Sequence, residues 1–130
     1  MLIPVRQSSL ALFFKKTGFI GGYMTLESLI KKIDGKVLTD NIKDINIENI
    51  YICDLLSWVM SHAKKGDAWI TVLTNVNVPA VALLTEVACV IIPEGILLEE
   101  LTVRKAKENG ILMIGTQYNA FDVCKKFLNK

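Results

Sequence analysis

Apolar positions along this chain recur with two periods, one near 3.6 residues and one in short unbroken runs. Behind Thr25, a residue of N-cap type, Leu26, Leu29, Ile30 and Ile33 recur at helical spacing until Gly35 ends the run. Residues 36–39 make a short strand candidate. Residues 40–48 are polar and asparagine-rich, with Ile42, Ile45 and Ile47 interleaved, and read as a loop entering a strand at 50–53. Asp54 is expected to cap the next helix. Its buried stripe is expected to be Leu55, Leu56, Val59, Met60 and Ala63, with an end at Gly66.

Strand and helix then alternate. Residues 68–74 are an apolar, β-rich strand. Pro79 stands where the first turn of a helix tolerates it, and that helix is expected to run to about Val87. Residues 88–92 are a second buried strand, closed by Pro93-Glu94-Gly95. An amphipathic helix is expected over 97–109 with Gly110 behind it. A third strand covers 111–114, and Asn119 opens a last helix with Ala120, Val123, Cys124 and Phe127 on one face. Nearly continuous apolar strands separated by such helices predict an α/β fold: three layers, a mostly parallel sheet with helices on both faces. "AKKGDAWITVLT" and "AKENGILMIGT" repeat the order helix end, glycine, strand, threonine, which marks a recurring βα unit without a sustained period.

Charge divides the chain in two. Residues 24–130 carry 12 basic and 13 acidic residues, a net −1, whereas the whole chain is +2. The basic excess therefore lies in residues 1–23, which contain Arg6, Lys15 and Lys16 and no acid. Gly21-Gly22 stand near the end of that segment, before Tyr23. A phosphate-cradling loop there would need a preceding strand and a following helix, and GxxxxGK[ST] occurs nowhere in the chain. A linker reading has nothing foldable upstream to link. A third reading comes from the genetic code. Residues 20–24 are encodable as AUA-GGA-GGU-UAU-AUG, which holds AGGAGGU, the form of a bacterial ribosome-binding site, just before AUG. Residues 1–23 are thus expected to be a translated leader or a disordered extension, and 24–130 the domain.

A net charge of −1 over the domain argues against a nucleic-acid footprint. No apolar stretch reaches the roughly 18–20 residues of a membrane span. Cys53, Cys89 and Cys124 are odd in number and widely spaced, with no CxxC and no Cys/His cluster. That supports neither a disulfide framework nor a metal site, and a reducing cytoplasm is the simplest setting. His62 reads as a solvated helix-end histidine. The cysteines read as small buried hydrophobes, and Trp58 and Trp69 as core or interface residues.

In an open parallel sheet, ligands bind beyond the carboxyl ends of the strands. Those ends supply Asn75 and Asn77, then Glu94 and Gly95, then Thr116, Gln117, Tyr118 and Asn119. The set is amide-rich and holds one carboxylate. Each segment leads toward a helix amino terminus, whose free N–H groups suit an anion. It suits hydrogen bonding to a nucleotide-like metabolite and lacks a catalytic constellation. Equally, Asn, Thr and Gly are ordinary turn and cap residues at such ends. No catalytic residue, metal or cofactor is assigned.

"CDLLSWVMSHAKKGDAWITVLTNVNVPAVALL" followed by "GILMIGTQYNAFDVCKKF" resembles the stand-alone DRTGG-domain proteins, many of them encoded beside iron-only hydrogenases in anaerobic bacteria. The most specific pieces are Asp54-Leu55-Leu56-Ser57 with Val59-Met60, Gly66-Asp67-Ala68-Trp69-Ile70-Thr71, and Gly115-Thr116 with Ala120-Phe121. The motif that names the family should fall at 44–50. This chain reads "DINIENIY" over 44–51, with the aspartate matched and Asn49-Ile50 in place of the glycine pair. The resemblance implies an α/β domain similar to the amino-terminal regulatory domain of HPr kinase/phosphorylase. Related copies lie between CBS domains in some pyrophosphatases and ahead of phosphotransacetylase domains. It implies a regulatory, dimerising module, with a hydrogenase or redox protein as partner. The serine-kinase label attached to some relatives does not carry over, because the P-loop domain is missing. Three functions stay open: a non-enzymatic ligand-sensing homodimer, a ligand-free docking module, and a phosphotransfer enzyme component supported by kinship alone.

Overall fold

A computed structural model describes residues 24–39 and 42–129. The expected leader, with Gly21-Gly22, lies outside the described residues. The chain begins with β1 (Met24–Thr25) and α1 (Leu26–Lys32), followed by β2 (Lys36–Val37), β3 (Asn46–Ile47) and β4 (Asn49–Ile52). Then come α2 (Leu56–His62), β5 (Asp67–Ile70), α3 (Asn77–Thr85), β6 (Cys89–Ile92), α4 (Glu100–Glu108), β7 (Met113–Gly115) and α5 (Ala120–Leu128).

Five strands form the main sheet in the order β2-β7-β6-β5-β4. β4, β5, β6 and β7 run parallel, and β2 closes one edge antiparallel to β7. Each step from β4 to β7 moves one place along the sheet through a helix. Right-handed crossovers put three such helices on one face. α2, α3 and α4 accordingly share a core with Trp69, Val90, Ile92 and Met113. α1 and α5 cover the other face over Ala68, Ile70, Cys89, Ile91, Leu112 and Ile114. Successive residues of one strand thus serve opposite cores, because side chains alternate across a pleated strand. That is why these strands are apolar without a break, and it gives the three-layer arrangement expected from the sequence.

Local signals are met where expected at several ends. Thr25 Oγ1 accepts from Ser28 N–H at 3.1 Å and caps α1. Asn119 Oδ1 accepts from Asp122 N–H at 2.8 Å and caps α5. Pro79 falls in the first turn of α3 and is buried.

Five expectations need correction. The strand expected over 68–74 ends at Ile70, and residues 71–74 are loop. Asp54 does not cap α2; Leu55 holds the cap position without a side-chain bond, and Asp54 turns toward the next strand instead. The stripe of α2 is narrower than expected. Val59 is buried and Leu56 and Ala63 half-buried, but Leu55, Met60 and Trp58 are exposed, since the helix lies against the sheet at its rim. α4 begins at Glu100 and not at Leu97, which stands free in the loop before it. Finally, residues 45–47 do not simply enter β4. β3 pairs antiparallel with β1 in a separate two-stranded sheet, where Ile47 reaches the core.

Candidate functional site

The carboxyl ends of β5, β6 and β7 lie side by side, so their loops share one edge of the sheet. Two of these loops are bonded directly. Glu94 N–H donates to Tyr118 O at 3.0 Å, and Gly95 N–H donates to Thr116 O at 2.9 Å. The turn that allows this has two consecutive left-handed residues, Glu94 (φ 60°) and Gly95 (φ 67°). A side chain at 95 has no room: a Cβ there would lie 2.7 Å from Gln117 Oε1. The Gln117 amide therefore rests on the bare backbone of Gly95, and the preceding residue, Glu94, is exposed.

Below this surface the loop is anchored by Thr116. Its hydroxyl donates to Ile33 O at 2.6 Å and accepts from Tyr118 N–H at 3.2 Å, and the residue is buried. Tyr118 is half-buried; its hydroxyl reaches Asp34 Oδ2 at 3.4 Å, and Lys126 Nζ lies 5.5 Å from its ring centroid. A groove of about 340 Å³ opens beside it between Tyr118, Asp122, Lys125, Lys126 and Asn129.

The expected site residues thus fall into three groups. Glu94, Gly95, Gln117 and Tyr118 come together at the surface. Thr116 and Asn119 belong to the same loop but act as an internal anchor and a helix cap. Asn75 and Asn77 lie in the neighbouring loop, where Asn75 Oδ1 accepts from Asn77 N–H at 3.0 Å. That loop is tied to α4, not to Glu94: Thr102 Oγ1 donates to Thr74 O at 2.7 Å.

Two features escaped the sequence reading. Asp54, at the end of β4, accepts from Thr71 Oγ1 at 2.8 Å and from Val72 N–H at 2.9 Å, and so joins a fourth strand end to the same edge. Its signal, an aspartate directly after a strand, is the one that also reads as a helix cap. The second is a depression of about 630 Å³ at the opposite edge, lined by Lys43, Ile45, Asn46, Glu48, Lys65, Gly66, Glu86, Val87 and Ala88. Glu48 lies over Gly66 there, whose φ of 87° and close neighbour both favour glycine.

The other singled-out residues are placed plainly. Cys89 is buried, and burial pushes its thiol up to about 12. Burial also raises Cys124. Trp69 is fully buried and donates its indole N–H to Cys53 O at 2.9 Å. Trp58 is exposed and stacks on His62 with ring centroids 3.9 Å apart, so it is not a core residue.

A comparison with protein families matches the DRTGG domain over residues 28–129. The chain belongs to the DRTGG-domain family. Among solved structures, this DRTGG domain is similar to the CBS and DRTGG domains of the regulatory region of Clostridium perfringens pyrophosphatase, complexed with the activator diadenosine tetraphosphate. The TM-score is 0.65 at 15% identity, over 80% of this chain and 46% of that one, so the likeness concerns the fold and spans about half of the other chain. Comparison with curated proteins gives no match. Within the DRTGG domain, Ile47 is buried and the next residue, Glu48, stands on the rim of the 630 Å³ depression.

Proposed function

We propose that this DRTGG domain is a non-enzymatic regulatory module that binds a nucleotide-like small molecule. It binds across the loops that end β6 and β7, works as a homodimer, and serves hydrogenase or redox metabolism in a reducing cytoplasm. The observation that carries the reading is the double backbone bond between Glu94-Gly95 and Thr116–Tyr118. It holds a carboxylate, a primary amide and a tyrosine ring at one strand-end edge without further reorganisation. Glu94 and Gln117 offer the acceptor and donor pattern that reads a base or ribose, and the Tyr118 ring offers a stacking face. Lys125 and Lys126, along the adjoining groove, suit phosphates. A relative of the same fold, taken as a regulatory region bound to a dinucleotide activator, supports the same ligand class.

Thermal shift of the full chain against adenine and guanine nucleotides, dinucleotides and acetyl phosphate tests this. A ligand at about 100 times its Kd stabilises by roughly 2.7 kcal/mol. For a domain of this size Tm then rises on the order of 10 °C. Q117A and E94A are expected to shrink the shift while leaving the ligand-free Tm within a few degrees. A flat screen on well-folded protein rejects the ligand reading. It favours a docking module, for which the exposed Leu55, Trp58 and Met60 of α2 are the supporting observation.

A further inference from the structure

β4 has the composition of an interior strand and the position of an edge strand. Residues 49–53 read Asn-Ile-Tyr-Ile-Cys, without charge, proline or glycine. Unbroken apolar strands of this kind belong inside parallel sheets, with a neighbour on each side. β6, which is inside, reads Cys-Val-Ile-Ile, and β5 reads Ala-Trp-Ile after a buried Asp67. β4 nonetheless ends the sheet order, so among the described residues nothing pairs with its outer side. Cys53 N–H donates to Ile70 O across the β4–β5 pair at 3.3 Å. The two-residue alternation of a strand puts Tyr51 on that side as well, while at the entry to the strand the bond to that side is made by Glu48 N–H, to Gly66 O at 3.2 Å. The N–H and C=O groups of Ile50 and Ile52 therefore face outward. Natural edge strands are shielded by charge, proline, bulges or shortness. The opposite edge obeys this rule: β2 has two residues, one of them exposed Lys36. β4 does not.

Apolar surface flanks the open strand on both faces. Ile52 is 49% exposed on one face. On the other, Leu55 is 60% and Trp58 52% exposed. Together they leave on the order of 300 Å² of apolar area beside the strand, against about 800 Å² that each partner buries in a standard interface.

We infer that β4 pairs antiparallel with β4 of a second copy of this chain, about a two-fold axis perpendicular to the sheet, to make one continuous ten-stranded sheet. In the register centred on Tyr51, Ile50 of each copy faces Ile52 of the other. Two hydrogen-bonded pairs then form, about four backbone bonds in all. A second copy fits this edge for three reasons. Residues 49–53 carry no charge, so like charges meet only at the ends of the pairing, where Glu48 of each copy stands opposite Asp54 of the other, whose carboxylate is already engaged by Thr71 and Val72. An axis normal to the sheet keeps both α2 helices on one face, so the same operation that pairs the strands covers Leu55 and Trp58. The short, lysine-bearing β2 edge then ends growth at two copies, whereas pairing of two different open edges would continue into a filament. The inference rests on the homodimer reading above and names its surface.

The test is sedimentation velocity on the full chain and three variants. I52K puts a charge on the open edge. I52P removes an outward N–H but no bond to β5, a place where edge strands accept proline. L84K alters an exposed apolar residue of α3 away from the edge, 63% exposed. The wild-type chain and L84K are expected to sediment as dimers. I52K and I52P are expected to sediment as monomers with unchanged far-UV circular dichroism. Hydrogen exchange supplies an independent readout: the Ile50 amide is protected in the dimer and exchanges on dilution and in I52K. A dimer that survives both Ile52 variants, with Ile50 freely exchanging, overturns this surface and leaves the homodimer reading intact. A wild-type monomer at every concentration overturns both.

Discussion

Thr71, at the end of β5, donates its hydroxyl proton to Asp54 Oδ1, at the end of β4, across 2.8 Å. The same oxygen accepts from Val72 N–H at 2.9 Å, and Thr71 Oγ1 in turn accepts from Leu73 N–H at 3.2 Å. Thr71 is 1% exposed, so its hydroxyl depends on this partner. D54A is expected to destabilise the domain by about 1–3 kcal/mol, because it strands a buried donor and a backbone N–H. D54N keeps one acceptor oxygen and is expected to lose less. Urea unfolding followed by tryptophan fluorescence gives both values. Equal stability of D54A and wild type rejects the account.

Gly95 separates two costs that a double variant distinguishes. G95A meets a left-handed φ of 67° and the Gln117 side chain at 2.7 Å. The backbone cost is on the order of 1–2 kcal/mol for a non-glycine residue, and the steric cost comes on top of it. Q117A removes the neighbour and should recover only the second part. The double variant G95A/Q117A is thus expected to be more stable than G95A alone and less stable than Q117A alone. Full recovery would show that φ carries no penalty here.

Thr116 joins the expected ligand loop to the end of α1. T116V leaves Ile33 C=O and Tyr118 N–H without their partner and is expected to cost about 1–3 kcal/mol. T116S keeps the hydroxyl and should retain most of the stability. Because Gln117 and Tyr118 follow directly, T116V should also weaken any ligand that the thermal-shift screen finds, at saturating occupancy of the folded state. Unchanged affinity in T116V would separate the anchor from the site.

Cys89 sets a limit at alkaline pH. Its thiol ordinarily titrates near 9.0 and is pushed up to about 12 by burial. Above pH 9 the unfolded chain releases this proton while the folded chain keeps it. Stability is therefore fully present below pH 9 and falls as pH rises toward 12, by about 1.4 kcal/mol per pH unit from this group. C89A is expected to start lower, through the small cavity it leaves, and to fall less steeply over the same window. Parallel pH profiles for the two proteins contradict this. Thiol labelling is expected to modify half-buried Cys53 and Cys124 before Cys89.

Much of the fold is legible in the sequence because it depends on near neighbours. Thr25 and Asn119 act on the N–H groups three residues ahead, and the sequence shows both partners at once. The unbroken apolar runs at 68–70 and 89–92 imply two covered faces, since no one-sided strand can keep every residue out of water. The loops at the strand ends follow from the same parallel order. Asp54 is ambiguous in the sequence because an aspartate after a strand satisfies a cap and a cross-strand tie equally well. Which one it makes depends on Thr71, 17 positions away in the chain and adjacent in space. The α2 stripe is narrower than its apolar pattern for a related reason. Periodicity says that Leu55, Trp58 and Met60 are apolar, not that anything stands opposite them. By itself the sequence determined the alternation of elements, their caps and their two-faced strands, all properties of local chemistry. Only the tertiary structure decided that β4 is an edge, that Trp58 faces outward and that Glu94 meets Tyr118, because each depends on which distant segment occupies the adjoining space.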